Sequence, residues 1–159
     1  MKKISRKSFL IGGAGAAVAA AGACFCTKTG RATLFGVGAT PEIARDAYDV
    51  AEDGEIRIYV DKVSEFASAG GAVKIFDSRI SGPLIVARTA EDTYVAASIQ
   101  CTHRGVEVEY HPEGNCFQCA SLGGSRFETN GKKIGGFAKG PLKTFPASCE
   151  DGILVIHTS

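Results

Sequence analysis

From residue 56 onward the chain alternates. Ile56, Ile58 and Val60 are separated by Arg57 and Tyr59, a period of two that fits a strand with one buried face and not a helix. Short strand-like runs recur after it: Val73–Phe76, Leu84–Ala87, Tyr94–Ile99, Val106–Tyr110, Cys116–Gln118, Phe127–Glu128 and Ile153–His157. Several are divided by turn signals, namely Glu91-Asp92, Pro112-Glu113-Gly114-Asn115, Asn130-Gly131 and Asp151-Gly152. Short strands at this spacing predict an all-β, antiparallel sandwich or barrel. No internal repeat or low-complexity tract occurs after residue 30.

The first part of the chain obeys a different rule. Residues 1–7 are basic, and Ser8 to Thr27 form a 20-residue run without a charge. Such a run is long enough to span a bilayer core of ~30 Å as a helix, although its many Ala and Gly make it weakly hydrophobic. It has no polar face, so a buried soluble helix fits poorly. Residues 1–27 are therefore expected to direct export, with three outcomes: a cleaved signal, a retained helical membrane anchor, or a lipoprotein signal. In the last, Ala21-Gly22-Ala23-Cys24 resembles a lipobox and Cys24 carries the lipid. Ser5-Arg6-Lys7-Ser8-Phe9-Leu10 also resembles a twin-arginine export signal, with Lys7 at the second Arg position. Residues 28–54, punctuated by Gly36, Gly38 and Pro41, read as a linker, in which Thr40-Pro41 can start a short helix with Ile43, Ala47 and Val50 on one side.

Charge narrows the function. The net charge of +1 includes Lys2, Lys3, Arg6 and Lys7, and no acidic residue occurs before Glu42. Without those four, 14 basic residues stand against 17 acidic ones. A mildly acidic body without a basic stripe argues against nucleic-acid binding. There is no Ser-His-Asp arrangement, phosphate loop or paired-carboxylate site, so the chain is not expected to be an enzyme by itself.

The chemistry lies in Cys101-Thr102-His103-Arg104-Gly105 and in Cys119-Ala120-Ser121-Leu122-Gly123-Gly124-Ser125-Arg126-Phe127. A C-x-H pair in one loop and a Cys at the start of another can converge on one metal site. Neighbouring glycines let backbone N–H groups approach the sulfurs. Cys116 and Cys149 could pair with each other in an oxidising compartment, although sequence does not fix connectivity. Arg104 and Arg126 read as surface residues.

These segments resemble the Rieske iron–sulfur family. Its first loop reads C-T-H-x-G, matched by Cys101 to Gly105, and its second reads C-x-x-H-G-S-x-F, where Cys119 falls with fifteen residues between it and His103. Phe127 through Leu142 is similar to the family's strand, N-G turn and Gly/Pro-rich loop, and residues 55–159 fit the whole domain, with cluster-binding loops at about 100–127. The resemblance implies a sandwich or barrel carrying a small cluster-binding subdomain. It also implies a [2Fe-2S] cofactor in which Cys101 and Cys119 hold one iron and His103 holds the other. Two departures stand out. Leu122 occupies the second histidine position, with one extra Gly before Ser125, so the outer iron lacks a protein ligand. Val106 and Ser121 stand where many members carry a disulfide between the loops, as in the branch without that clamp.

The missing ligand has several resolutions. A water, a hydroxide, or the hydroxyl of Ser121 or Ser125 completes the site; or another histidine, His111 or His157, replaces it; or the cluster is lost and Leu122 fills the space, where its burial contributes roughly 1.5–3 kcal/mol. The resemblance implies a one-electron carrier on the outer face of the cytoplasmic membrane. Its partner would be a cytochrome, a subunit of a membrane redox complex, or quinol. The alternative is a cluster-free accessory or scaffold subunit. An open position on the outer iron would instead suit a small-molecule sensor.

Overall fold

The computed structural model describes residues 40–158. The export signal, anchor or lipid site expected at 1–27 lies outside them. No helix among the described residues is long and apolar enough to cross a membrane.

Among the described residues, twelve short strands build three four-stranded antiparallel sheets. The first is β1 (Tyr48–Val50), β2 (Ile56–Tyr59), β12 (Ile153–Ile156) and β11 (Ala147–Glu150), in that order. The second runs β10 (Thr144–Phe145), β5 (Thr93–Ser98), β4 (Leu84–Ala90), β3 (Ala72–Ile75). The third runs β6 (Val108–His111), β7 (Cys116–Cys119), β8 (Arg126–Glu128), β9 (Lys133–Gly135).

Two cores explain the arrangement. Ile56, Ile58, Leu154 and Ile156 of the first sheet pack with Val73, Ile75, Leu84 and Val86 of the second. The opposite phase of β4, Ile85 and Ala87, packs instead with Val108, Phe117 and Phe127 of the third sheet. Successive strand residues point to opposite faces, so Leu84 to Ala87 reads as an unbroken apolar run because the second sheet is covered on both sides. The third sheet is the subdomain that the resemblance implied.

Turn chemistry matches the sequence. Asp151 and Gly152 both have positive φ, 49° and 77°, as the two-residue turn between β11 and β12 demands. Pro112–Gly114 forms a single 3-10 turn closed by Asn115, whose side chain accepts a hydrogen bond from Tyr110 Oη at 2.9 Å.

The linker reading fails for its described part. Residues 40–54 belong to the domain: Ile43, Ala47, Tyr48 and Val50 are core residues, and β1 pairs with β2. The helix expected after Pro41 is a 3-10 turn at Arg45–Ala47, because Pro41 and Ile43 are drawn into hydrogen bonds with Lys74 of β3. Cys116 and Cys149 are free thiols in different sheets, so the pairing considered for them is not made.

The loop after β3 is fixed by Asp77. Its buried carboxylate accepts hydrogen bonds from Arg79, Arg45 and Tyr48. The Arg79 guanidinium and backbone N–H hold it far below the ordinary carboxylate range, against the opposing effect of burial. An unfolded Asp titrates near ~3.9. The stability from this depression is therefore complete above that value and is lost as pH falls through it toward the lower folded value. Asp77→Asn is expected to lower stability at neutral pH and to flatten the acid side of the stability profile. Urea midpoints across pH check this, and an acid limb as steep as the wild type's contradicts it.

Candidate metal centre

Three loops meet at one end of the third sheet. Loop 1, residues 101–106, closes on itself through Cys101 N to Val106 O at 2.9 Å and Gly105 N to Cys101 O at 2.8 Å. Loop 2, residues 119–125, does so through Cys119 N to Ser125 O at 2.8 Å and Gly124 N to Ser121 O at 2.9 Å. Loop 3, residues 136–141, locks them together. Thr102 Oγ1 donates to Gly140 O at 2.9 Å, and the Phe137 ring lies 6.1 Å from that of His103. Gly136 has φ +76°, and a Cβ there would lie 2.4 Å from Ser125 Cα. Backbone against backbone at that distance is possible only for glycine.

Cys101 and Cys119 are both buried at the roots of their loops, 2% and 1% exposed. Burial pushes the Cys101 thiol up, the neighbouring Cys119 side chain adds to this, and the His103 backbone N–H and Ser125 hydroxyl oppose it. Cys119 Sγ also lies 3.2 Å from Ser121 Oγ. Two polar atoms are buried here without a hydrogen-bond partner, His103 Nδ1 and Ser125 Oγ. Buried polar groups are rarely left this way unless something absent satisfies them.

The donor set is therefore two thiols side by side and an imidazole on the same loop as Cys101. Among the described residues no three His, Cys, Asp or Glu side chains converge on one point. A single zinc ion needs three or four such donors. A two-iron cluster needs only two protein donors at each iron, since bridging sulfides supply the rest. The residues fit the inner half of such a cluster fully and the outer half through His103 alone.

Leu122 is 95% exposed. The expectation that it fills the space of a lost cluster is thus not met. His111 and His157 are not brought to the site. His111 stands opposite Cys116 at the turn end of the β6–β7 hairpin, whereas Val108 stands opposite Cys119 at the loop end. His157 follows β12 of the first sheet, with Nδ1 3.5 Å from Glu55. Arg104 and Arg126 are exposed, as expected.

The sequence reading missed Phe137 and Gly136. Their signal was the Gly135-Gly136 pair followed by an aromatic residue, which marks a backbone approach next to a side chain that has to cover something.

Two thiols and a histidine in the end loops of an antiparallel β domain are the kind of donors that mixed-ligand iron–sulfur clusters use. The family model described as "Rieske [2Fe-2S] domain" matches residues 56–146. The chain belongs to that family. Among solved structures it is similar to the complex of reduced oxygenase and oxidized ferredoxin in carbazole 1,9a-dioxygenase. That match has 20% identity and a TM-score of 0.51, covering 57% of this chain and 83% of the other. It is similar, too, to the cyanobacterial plasma membrane Rieske protein PetC3 from Synechocystis PCC 6803, at 24% identity and TM-score 0.47, covering 54% and 85%. The ferredoxin of carbazole 1,9a-dioxygenase from Nocardioides aromaticivorans IC177 matches at 18% identity and TM-score 0.49, covering 58% and 88%. No curated protein matches the chain.

Proposed function

We propose that this Rieske-family chain is a one-electron carrier, exported and held at the outer face of the cytoplasmic membrane by its N-terminal segment. The observation that carries this reading is the pairing of the buried Cys101 and Cys119 thiols with the unpartnered His103 Nδ1 in the adjoining loop. Cys101, Cys119 and His103 would hold the [2Fe-2S] cluster, which would supply one-electron chemistry at the site.

The chain's own residues do the rest. Metal binding requires both thiols to lose their protons; burial opposes this at Cys101, and the His103 backbone N–H and Ser125 hydroxyl offset only part of that opposition. Phe137 lies beside the His103 ring and limits its contact with water. The exposed Leu122 would offer no ligand, so a donor beside His103 would have to come from solvent or from the hydroxyl of Ser121 or Ser125. The partner is a cytochrome or a subunit of a membrane redox complex, or a quinol, and the chain is not catalytic alone.

One observation favours a second reading, a cluster-free accessory or scaffold subunit: Leu122 has no donor atom. Its outward orientation weakens that reading, since an exposed leucine gains no burial energy in exchange for the lost ligand.

A reductive titration of anaerobically purified protein tests the proposal. The wild type is expected to bleach reversibly with one electron. Leu122→His, which supplies a second imidazole, is expected to change the spectrum and move the potential by on the order of 100 mV, the scale on which ligand exchange shifts such clusters. A wild type without a reducible chromophore contradicts the proposal.

A further inference from the structure

We infer that the three-loop end of the molecule docks onto a protein that presents carboxylates around an apolar centre. This rests on the electron-carrier reading and names the chemistry of the partner.

Charge is divided between the two parts of the domain. Residues 100–143 hold six basic and four acidic residues, whereas residues 40–99 and 144–158 together hold six basic and 13 acidic ones. The division is sharper at the loops. Each of the three carries, or is followed directly by, one exposed cation: Arg104 in loop 1, Arg126 just after loop 2, and Lys139 in loop 3. None of the three is in an ion pair among the described residues, and loops 1 to 3 contain no Asp or Glu. Glu109 is buried against Lys74, Glu107 also pairs with Lys74, and Glu128 pairs with Lys132, so the acidic residues of this part are largely neutralised or turned away.

The same loops expose two large apolar side chains, Leu122 at 95% exposure and Phe137 at 71%. Phe137 packs across Gly123 and lies beside the His103 ring, so the apolar patch is continuous with the metal site. An apolar centre with a charged rim is the anatomy of a transient protein interface. A positive end on an otherwise negative body is a dipole that orients an approaching acidic partner and speeds encounter. An anionic membrane is the poorer fit. Two apolar side chains offer little to insert, and the acidic body is repelled by an extended negative surface, whereas a partner with localised carboxylates meets the positive end alone.

The test uses the full chain, with the variant Arg104→Glu/Arg126→Glu/Lys139→Glu beside it. The probes are a carboxylate-rich plant-type ferredoxin, a lysine-rich c-type cytochrome, and vesicles containing phosphatidylglycerol. Wild type is expected to bind the ferredoxin at low salt and to lose that binding as the Debye length falls below about 10 Å. The triple reversal is expected to weaken it by roughly tenfold or more and to create binding to the cytochrome. Equal ferredoxin binding by wild type and variant overturns the inference. So does wild-type binding to the vesicles without binding to the ferredoxin. Because both chains carry the same basic N-terminus, their difference reports the loops alone. Iron and sulfide measured on the same samples separate the two ideas: docking that persists in iron-free protein contradicts electron transfer and leaves the docking inference standing.

Discussion

Lys74→Met is expected to lower the unfolding free energy by about 3–5 kcal/mol, because it strands a buried carboxylate. Lys74 sits on β3 with its side chain 6% exposed, and its Nζ bonds Glu109 Oε1 on β6, whose side chain is 2% exposed. It also bonds Glu107 Oε2 at 3.0 Å, but that carboxylate is half in water and loses little when its partner goes. The pair bridges the second and third sheets, beside the apolar contacts of Ile85 and Ala87 with Val108 and Phe117, and so helps to fix how the cluster-binding subdomain sits on the base. A buried ion pair is not in itself strongly stabilising; removing one member is what costs most. The double variant Lys74→Met/Glu109→Leu is therefore expected to recover most of the loss. Urea unfolding of both variants settles the point, and a single variant as stable as the double contradicts it.

Gly136→Ala is the second large effect, and it acts on the site. The new Cβ would meet Ser125 Cα at 2.4 Å, Ser125 N at 2.7 Å and Gly123 O at 2.8 Å, with the backbone held at φ +76°. Left-handed backbone costs a residue with a Cβ about 1–2 kcal/mol, and overpacking typically adds 1–3 kcal/mol. The loss is expected to be about 2–5 kcal/mol, taken as loop 3 moving away from loop 2. Iron retention is expected to fall with it, since the Cys119 N to Ser125 O bond and the Phe137 cover both depend on this approach. Gly140→Ala is the control, because its Cβ would meet nothing within 4 Å and its φ is not positive. Thermal melting and iron content of the two variants should diverge sharply; equal behaviour contradicts the packing argument.

Much of the fold was legible because short antiparallel strands leave a period-two record. Ile56 and Ile58 announce β2, and Asp151-Gly152 announces the turn before β12. What escaped notice lacked that record. Residues Tyr48–Val50 of β1 place one charged residue between two apolar ones, too short a run to register as a pattern, and they join the sheet only because β2 is there to pair with them. Ala147–Glu150 of β11 are small and polar residues on a sheet edge, where little burial is required of them. Lys74 lies inside the run Val73–Phe76, and nothing in that run signals that among the described residues it makes the one ion pair between strands of two sheets, to Glu109.

The site was legible in its identities and not in its orientations. The C-x-H and second-loop Cys spacing located Cys101, His103 and Cys119. Whether Leu122 turns inward or outward is a matter of how loop 2 packs against loop 3, which lies across Gly123 through Phe137. No spacing rule carries that information, since it arises from a contact between residues 14 positions apart in the chain.

The most direct test of the electron-carrier reading is the metal content of the wild-type protein. It would be produced in cells competent in cluster assembly and purified without oxygen, beside Leu122→His. The structure's paired thiols and unpartnered imidazole predict iron and acid-labile sulfide in equal amounts, about two of each per chain in the wild type. A wild type free of iron, beside a Leu122→His variant that holds it, would contradict electron transfer and identify a cluster-free descendant of the family.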